Sequence, residues 1–153
     1  IKRVADAAAA KNGRTALIVV ESLMNDVRMV SSPEVGGYGL DAEWNEDFHH
    51  SWLAYLIGET HGKYSDFGEI ESLPRVIEDV FCLSGRYSVF RGRNWGAPAR
   101  GLSGDHFVVG IQNHDHAGNR ALGERTGQLL SQPLQRLSAA WMLLSPYIPL
   151  LFM

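Results

Sequence analysis

The chain has 153 residues, 45% of them hydrophobic and 20% charged, with a formal net charge of −3; those values exclude a disordered protein and suit one ordinary globular domain. Its basic residues are scattered singly, which leaves no electrostatic footprint for nucleic acid. Cys82 is the only cysteine, so an intrachain disulfide and a cysteine-built zinc cage are both excluded, and the usage fits a cytoplasmic setting.

Residues 1–11 are Ala-rich and predict a helix closed by Asn12–Gly13. Thr15 to Val20 is a β-branched apolar run without alternation, the pattern of a strand buried on both faces of a parallel sheet, and it stops at Glu21. A loop broken by Ser31–Ser32–Pro33 and Gly36–Gly37 leads to a weak strand signal over Tyr38 to Trp44. Asn45 then caps a helix from Glu46 to Ile57, with Phe48, Trp52, Leu53 and Leu56 at helical spacing. A second helix is expected over Leu73 to Phe81. The stretch from Ser84 to Asp105 is dense in Gly, Arg and Pro and has no regular period, as long functional loops often do not. Phe107 to Ile111 is a fully apolar strand that runs into Gln112–Asn113–His114–Asp115. Helices over Arg120–Leu130 and Leu134–Leu144 and a last strand over Tyr147–Phe152 complete the order.

The apolar stretch Trp141 to Met153 is too short to span a bilayer and is broken by Pro146 and Pro149, so it reads as a buried strand with its leading helix, and no membrane partner is expected. No leader peptide is visible. The chain opens on Ile1 and stops within an apolar run, and both ends read as cuts. Strands alternating with helices imply right-handed crossovers and a parallel sheet. A closed (β/α)8 barrel takes about 250 residues and eight strands. The expected fold class is therefore α/β, a partial (β/α)8 TIM barrel, with residues 1–153 a fragment of one catalytic barrel domain.

In such a barrel the chemistry sits at the C-terminal ends of the strands, and two strands here end in polar groups. Glu21 follows its strand directly, where partial desolvation would let a carboxyl hold its proton and act as a general acid; an ion pair at the strand end is the plainer account. Asn113, His114 and Asp115 pack three hydrogen-bonding groups into the other strand end, able to grip vicinal sugar hydroxyls or simply to cap the next helix. Two carboxylates on strand ends are what acid-assisted glycoside cleavage requires. The aromatic content, 10% with four Trp, fits core packing first and sugar stacking second. The histidines do not suggest a metal: His49 and His50 are adjacent on a helix, and His114-x-His116 is too weak a pattern for a three-ligand zinc site. No metal or other cofactor is expected.

The segment VVESLMND (residues 19–26) resembles the fifth-strand region of the α-amylase family of glycoside hydrolases, and FVVGIQNHDHAGNRALGER (residues 107–125) its seventh. GYGLDAEWNEDFHH (residues 37–50), YSDFG (residues 64–68), GRYSVFRGRNWGAPARGLSGDHFVV (residues 85–109) and LLSPYIPLLFM (residues 143–153) are similar to the trehalohydrolase branch of that family, over essentially the whole chain. The resemblance implies a retaining hydrolase that cuts the α-1,4 linkage beside the trehalose end of an α-glucan oligosaccharide. Branching enzymes and amylases are the alternatives within the family. It makes Glu21 the proton donor and assigns Asp115, with His114, to the sugar hydroxyls and the oxocarbenium-like transition state. The family's nucleophile, an Asp in an Arg-x-Asp motif on the fourth strand, has no counterpart before Thr15. The His of the third strand and the Gly-Glu-Glu stretch after the eighth are also missing.

The chain departs from the family at Ser22, where relatives often carry an acid, and at His116, where Gln is common. Asp41, Trp44, Asp47 and His49 are expected to meet the trehalose end from the exit of the sixth strand, and Asn113 to touch substrate beside His114. Taken alone, a chain with no nucleophile is expected to be inactive, and as a non-catalytic half-barrel to expose the apolar sides of its first and last strands.

Overall fold

The computed structural model describes residues 1–152; Met153, with which the predicted apolar stretch ends, lies outside the described residues. The elements run α1 (Lys2–Ala10), β1 (Val19–Val20), β2 (Ala42–Trp44), α2 (Glu46–Ile57), α3 (Ser72–Glu78), β3 (Arg86–Ser88), β4 (Arg93–Trp95), β5 (Phe107–Gly110), α4 (His114–Gly118), α5 (Thr126–Leu129), α6 (Gln132–Leu143) and β6 (Ile148–Leu150). Strands β1, β2, β5 and β6 pair in that order, all parallel, as one open four-stranded sheet. Helical connections between parallel neighbours make this a partial (β/α)8 barrel, and the sheet does not close.

The core lies where α2 and α6 cover the middle strands. Phe48, Phe81 and Phe107 are almost fully buried. Phe81 meets Phe107 edge-on at 5.6 Å, and Tyr147 closes on both Phe48 and Phe107. Trp141 of α6 stacks on Trp52 of α2 at 5.1 Å, and the Trp52 indole N–H donates to Ser138 Oγ at 2.7 Å. Stacked rings with a satisfied indole donor bring dispersion and burial without an orphaned polar group. Gly58, at φ 69°, ends α2 in the left-handed conformation expected of a helix C-terminus.

The predicted strand over Thr15–Val20 is corrected in length and burial. Only Val19 and Val20 pair, Leu17 is 74% exposed, and none of the six residues is buried. An apolar run signals double burial only when neighbours flank it on both sides, and β1 is an edge. The last strand differs in the same way: β6 is three residues long and largely exposed, and Leu151, just beyond it, is 73% exposed. The expected exposure of both edges is therefore present. Of the helix predicted over Arg120–Leu130 only α5 forms, after a turn, and the unpredicted α4 lies ahead of that stretch. The aperiodic stretch after Ser84 holds the antiparallel hairpin β3–β4. Asp66 pins that hairpin by accepting from Ser88 Oγ and the Val89 N–H, and Arg91 and Arg93 stack on Trp95 at 4.5 and 4.8 Å.

Candidate active site

Parallel strands send their C-terminal ends to one side of a sheet, so the residues after β1, β2 and β5 meet there. Glu21 Oε1 lies 3.7 Å from His114 Nε2. The Trp44 ring stands edge-on to His114, centroids 5.8 Å apart. Asp115, in the first turn of α4, accepts from Asn119 Nδ2 at 2.6 Å and sits 3.8 Å from Lys63 Nζ. Glu21, Trp44 and His114 thus share one mouth, with Asp115 next in the chain. The Glu21 side chain is 52% exposed, not desolvated as expected, because no further strand covers it on the β1 side. The loop after β1 is fixed by the hairpin: the Trp95 indole donates to Leu23 O at 2.9 Å and the Ala97 N–H to Asn25 O at 2.9 Å. Gly96, at φ 77°, lies where a Cβ would stand 1.8 Å from Leu83 O, so only glycine allows this approach.

Beneath the mouth is a buried polar layer. Asp47 Oδ2 accepts from Asn25 Nδ2 at 2.9 Å and from the Leu83 N–H at 2.8 Å, which binds the loop after β1 to the start of α2 and the segment after α3. Burial nevertheless pushes its carboxyl up to about 6. Asn113 caps α4 by accepting from the His116 N–H at 2.8 Å, and its amide donates to Glu46 Oε1 at 3.0 Å. His116 Nε2 contacts Glu46 Oε2. Desolvation raises the Glu46 carboxyl and lowers the His116 imidazole to about 3. His49 lies flat on His116 at 3.4 Å, with its own nitrogens on Ile111 O at 2.6 Å and Tyr64 Oη at 3.2 Å. Burial holds His49 and His50 well below the usual imidazole range. On β2, Glu43 is 1% exposed with both carboxylate oxygens unpartnered among the described residues; burial, with Asp26 nearby, pushes it up to about 8.

Four expected substrate contacts therefore stand elsewhere. Asp41 precedes β2, at the N-terminal end of the strand and not at its exit. It accepts from the Ile18 N–H at 2.6 Å and pairs with Lys2 Nζ at 2.8 Å, which lowers its carboxyl. Asp47, His49 and Asn113 are buried with their polar atoms engaged inside the protein. Their physical role in this structure is to hold the loops that carry Glu21, His114 and Asp115. Asn25, Glu46 and His116 are members of the same layer that sequence reasoning did not single out as site residues. The signal available was Glu46-x-x-x-His50, which puts a carboxylate and an imidazole on one face of a helix.

No family model matches the chain. A malto-oligosyltrehalose trehalohydrolase of Saccharolobus solfataricus is 46% identical over 137 residues, covering 90% of this chain and 24% of that protein. One from Rhizobium sp. is 42% identical over 153 residues, 98% of this chain and 26% of that protein. A crystal structure described as an alpha amylase from Salmonella typhimurium superposes with a TM-score of 0.83 at 32% identity, over 99% of this chain and 27% of that one. With strand-end carboxylates on a partial barrel, these likenesses place the chain in the α-amylase family of glycoside hydrolases. Within that class its sequence is similar to a segment of the malto-oligosyltrehalose trehalohydrolases. The chain spans about a quarter of the length of these relatives.

Proposed function

We propose that this chain carries the acid side of a retaining α-glucan hydrolase that releases trehalose from maltooligosyl trehalose. The observation behind the reading is the convergence of Glu21, Trp44 and His114 at one strand-end mouth, with Asp115 next in the chain. Glu21 protonates the leaving glycosidic oxygen. Once deprotonated, it takes a proton from the water that opens the glycosyl-enzyme. Asp115 and His114 hold the hydroxyls of the ring that becomes oxocarbenium-like, and Trp44 offers an apolar face beside them. The nucleophilic carboxylate comes from outside these 153 residues, about 5–5.5 Å from the acid as retention requires. Residues 1–153 are then one part of a single barrel domain and by themselves hydrolyse nothing. The wider setting is trehalose formation in the cytoplasm, in keeping with one buried free thiol, Cys82. No helix is long and apolar enough to cross a membrane among the described residues.

Product analysis tests the proposal. The full-length protein is given maltooligosyl trehalose and, separately, plain maltodextrin of equal length. Free trehalose from the first, with slow attack on the second, is the expected result. Maltose from both, or new branches, would move the protein to an amylase or a branching enzyme, a shift the amylase-like solved structure makes worth testing. Hydrolysis by residues 1–153 alone would overturn the assignment of the nucleophile.

A further inference from the structure

We propose that Glu46, His50 and His116 bind one divalent transition-metal ion, zinc by the character of the donor set, in the layer beneath the mouth. A ligand atom of each lies within 4.8 Å of the others, and all three residues are at least 94% buried. Glu46 and His50 are four residues apart on α2, so their side chains rise from one face of one helix. His116 enters from the first turns of α4, which a different strand delivers. The ion would thus tie the β2–α2 corner to the β5–α4 corner.

Independent of this spacing, the cluster contains a buried nitrogen with nothing to bind. His50 Nε2 has no partner among the described residues, a costly state for a buried polar atom, and His116 Nε2 meets only Glu46 Oε2, a contact the ion would replace. Two imidazoles and one carboxylate are a set that zinc accepts, with a fourth position left for water. The edge of a tetrahedral zinc site is about 3.4 Å, so the widest ligand separation must close by about 1.4 Å, within reach of side-chain rotation. The supporting groups that orient metal ligands are already in place. Asn113 donates to Glu46 Oε1, and His49 packs flat on the His116 ring with both its own nitrogens occupied, which keeps it out of the ligand set. His116 also lines a cavity of about 190 Å³ with Lys63, Tyr64, Asn119 and Arg120, a route for the ion and its water. The cations there are paired, Lys63 with Asp115 and Arg120 with Glu59 and Glu124.

The test uses the full-length protein, stripped with a chelator and titrated with Co2+, then with Zn2+ in competition. The expected result is one equivalent of Co2+ with visible d–d absorption that Zn2+ abolishes. In His50→Gln and His116→Gln affinity should fall at least tenfold, about the lower bound for disturbing a metal site, with the far-UV circular dichroism of the parent. Absence of d–d absorption in the parent protein, or unchanged affinity in both variants, overturns the proposal. Should one variant fail to fold, the other and the parent's stoichiometry decide. The readout is spectroscopic, so it stands or falls apart from the glycosidase reading.

Discussion

The mouth and the layer beneath it are built from neighbouring residues with opposite physics. Glu21 and His114 are more than half exposed and sit 3.7 Å apart, whereas Glu46, the first residue of α2, and His116, two residues beyond His114, are 7% and 4% exposed and in contact. Charge is inexpensive at the mouth, where water or substrate can solvate it, and costly below, where only fixed partners can. The upper groups are thus open to solvent or a ligand, and the lower ones fix where those groups stand. A single strand end supplies both: in His114–Asp115–His116, alternate imidazoles face solvent and core.

The contrast can be broken or sharpened by measurement. Glu21→Gln in the full-length protein should lower kcat about 10²- to 10⁴-fold, the usual worth of a general acid, while the unfolding midpoint in urea stays put; a shifted midpoint would make Glu21 structural. Glu43 should make stability depend on pH. Its folded value is raised to about 8 from an ordinary 4.5, so the folded state binds the extra proton and stability falls as pH rises from 4.5 to 8. The slope is about 1.4 kcal/mol per pH unit at most. Urea melts across that window check it, and Glu43→Gln should flatten the curve and stabilise the protein above pH 8. Asp47→Ala, by orphaning the buried Leu83 N–H and leaving the Asn25 amide with the Leu83 carbonyl alone, should cost about 3 kcal/mol in the same melts, far more than a change at the mouth. Ser138→Ala, which strips the Trp52 indole of its acceptor, should cost about 1 kcal/mol.

What sequence could and could not reveal divides along the same line. Strand β5 was legible because Phe107, Val108 and Val109 are buried as an apolar run suggests, and the position of Glu21 was legible because it directly follows β1. The α2 boundaries match the expected Glu46–Ile57. The buried layer was not legible: Asp47 and His49 read as substrate contacts at the exit of the sixth strand and Glu46 only as the start of a helix, and nothing local records that Leu83, Asn25 and Asn113 arrive to satisfy or enclose them. Asp41 was misplaced because the strand signal spread over Tyr38–Trp44, whereas the strand itself is only Ala42–Trp44 and Asp41 stands before its start. The hairpin β3–β4 escaped notice because arginine stacking on Trp95 and bonds to Asp66 hold it together, and neither leaves a hydrophobic period.

Helix α1 shows how unevenly the molecule is secured. It buries none of its residues, and Lys2 joins it to the rest through Ala16 O and Asp41. Its amide protons should therefore exchange with solvent through small local openings, faster in high salt that screens the Lys2–Asp41 pair. Those of α2, wrapped on all sides in its first two turns, should wait for the whole domain to open.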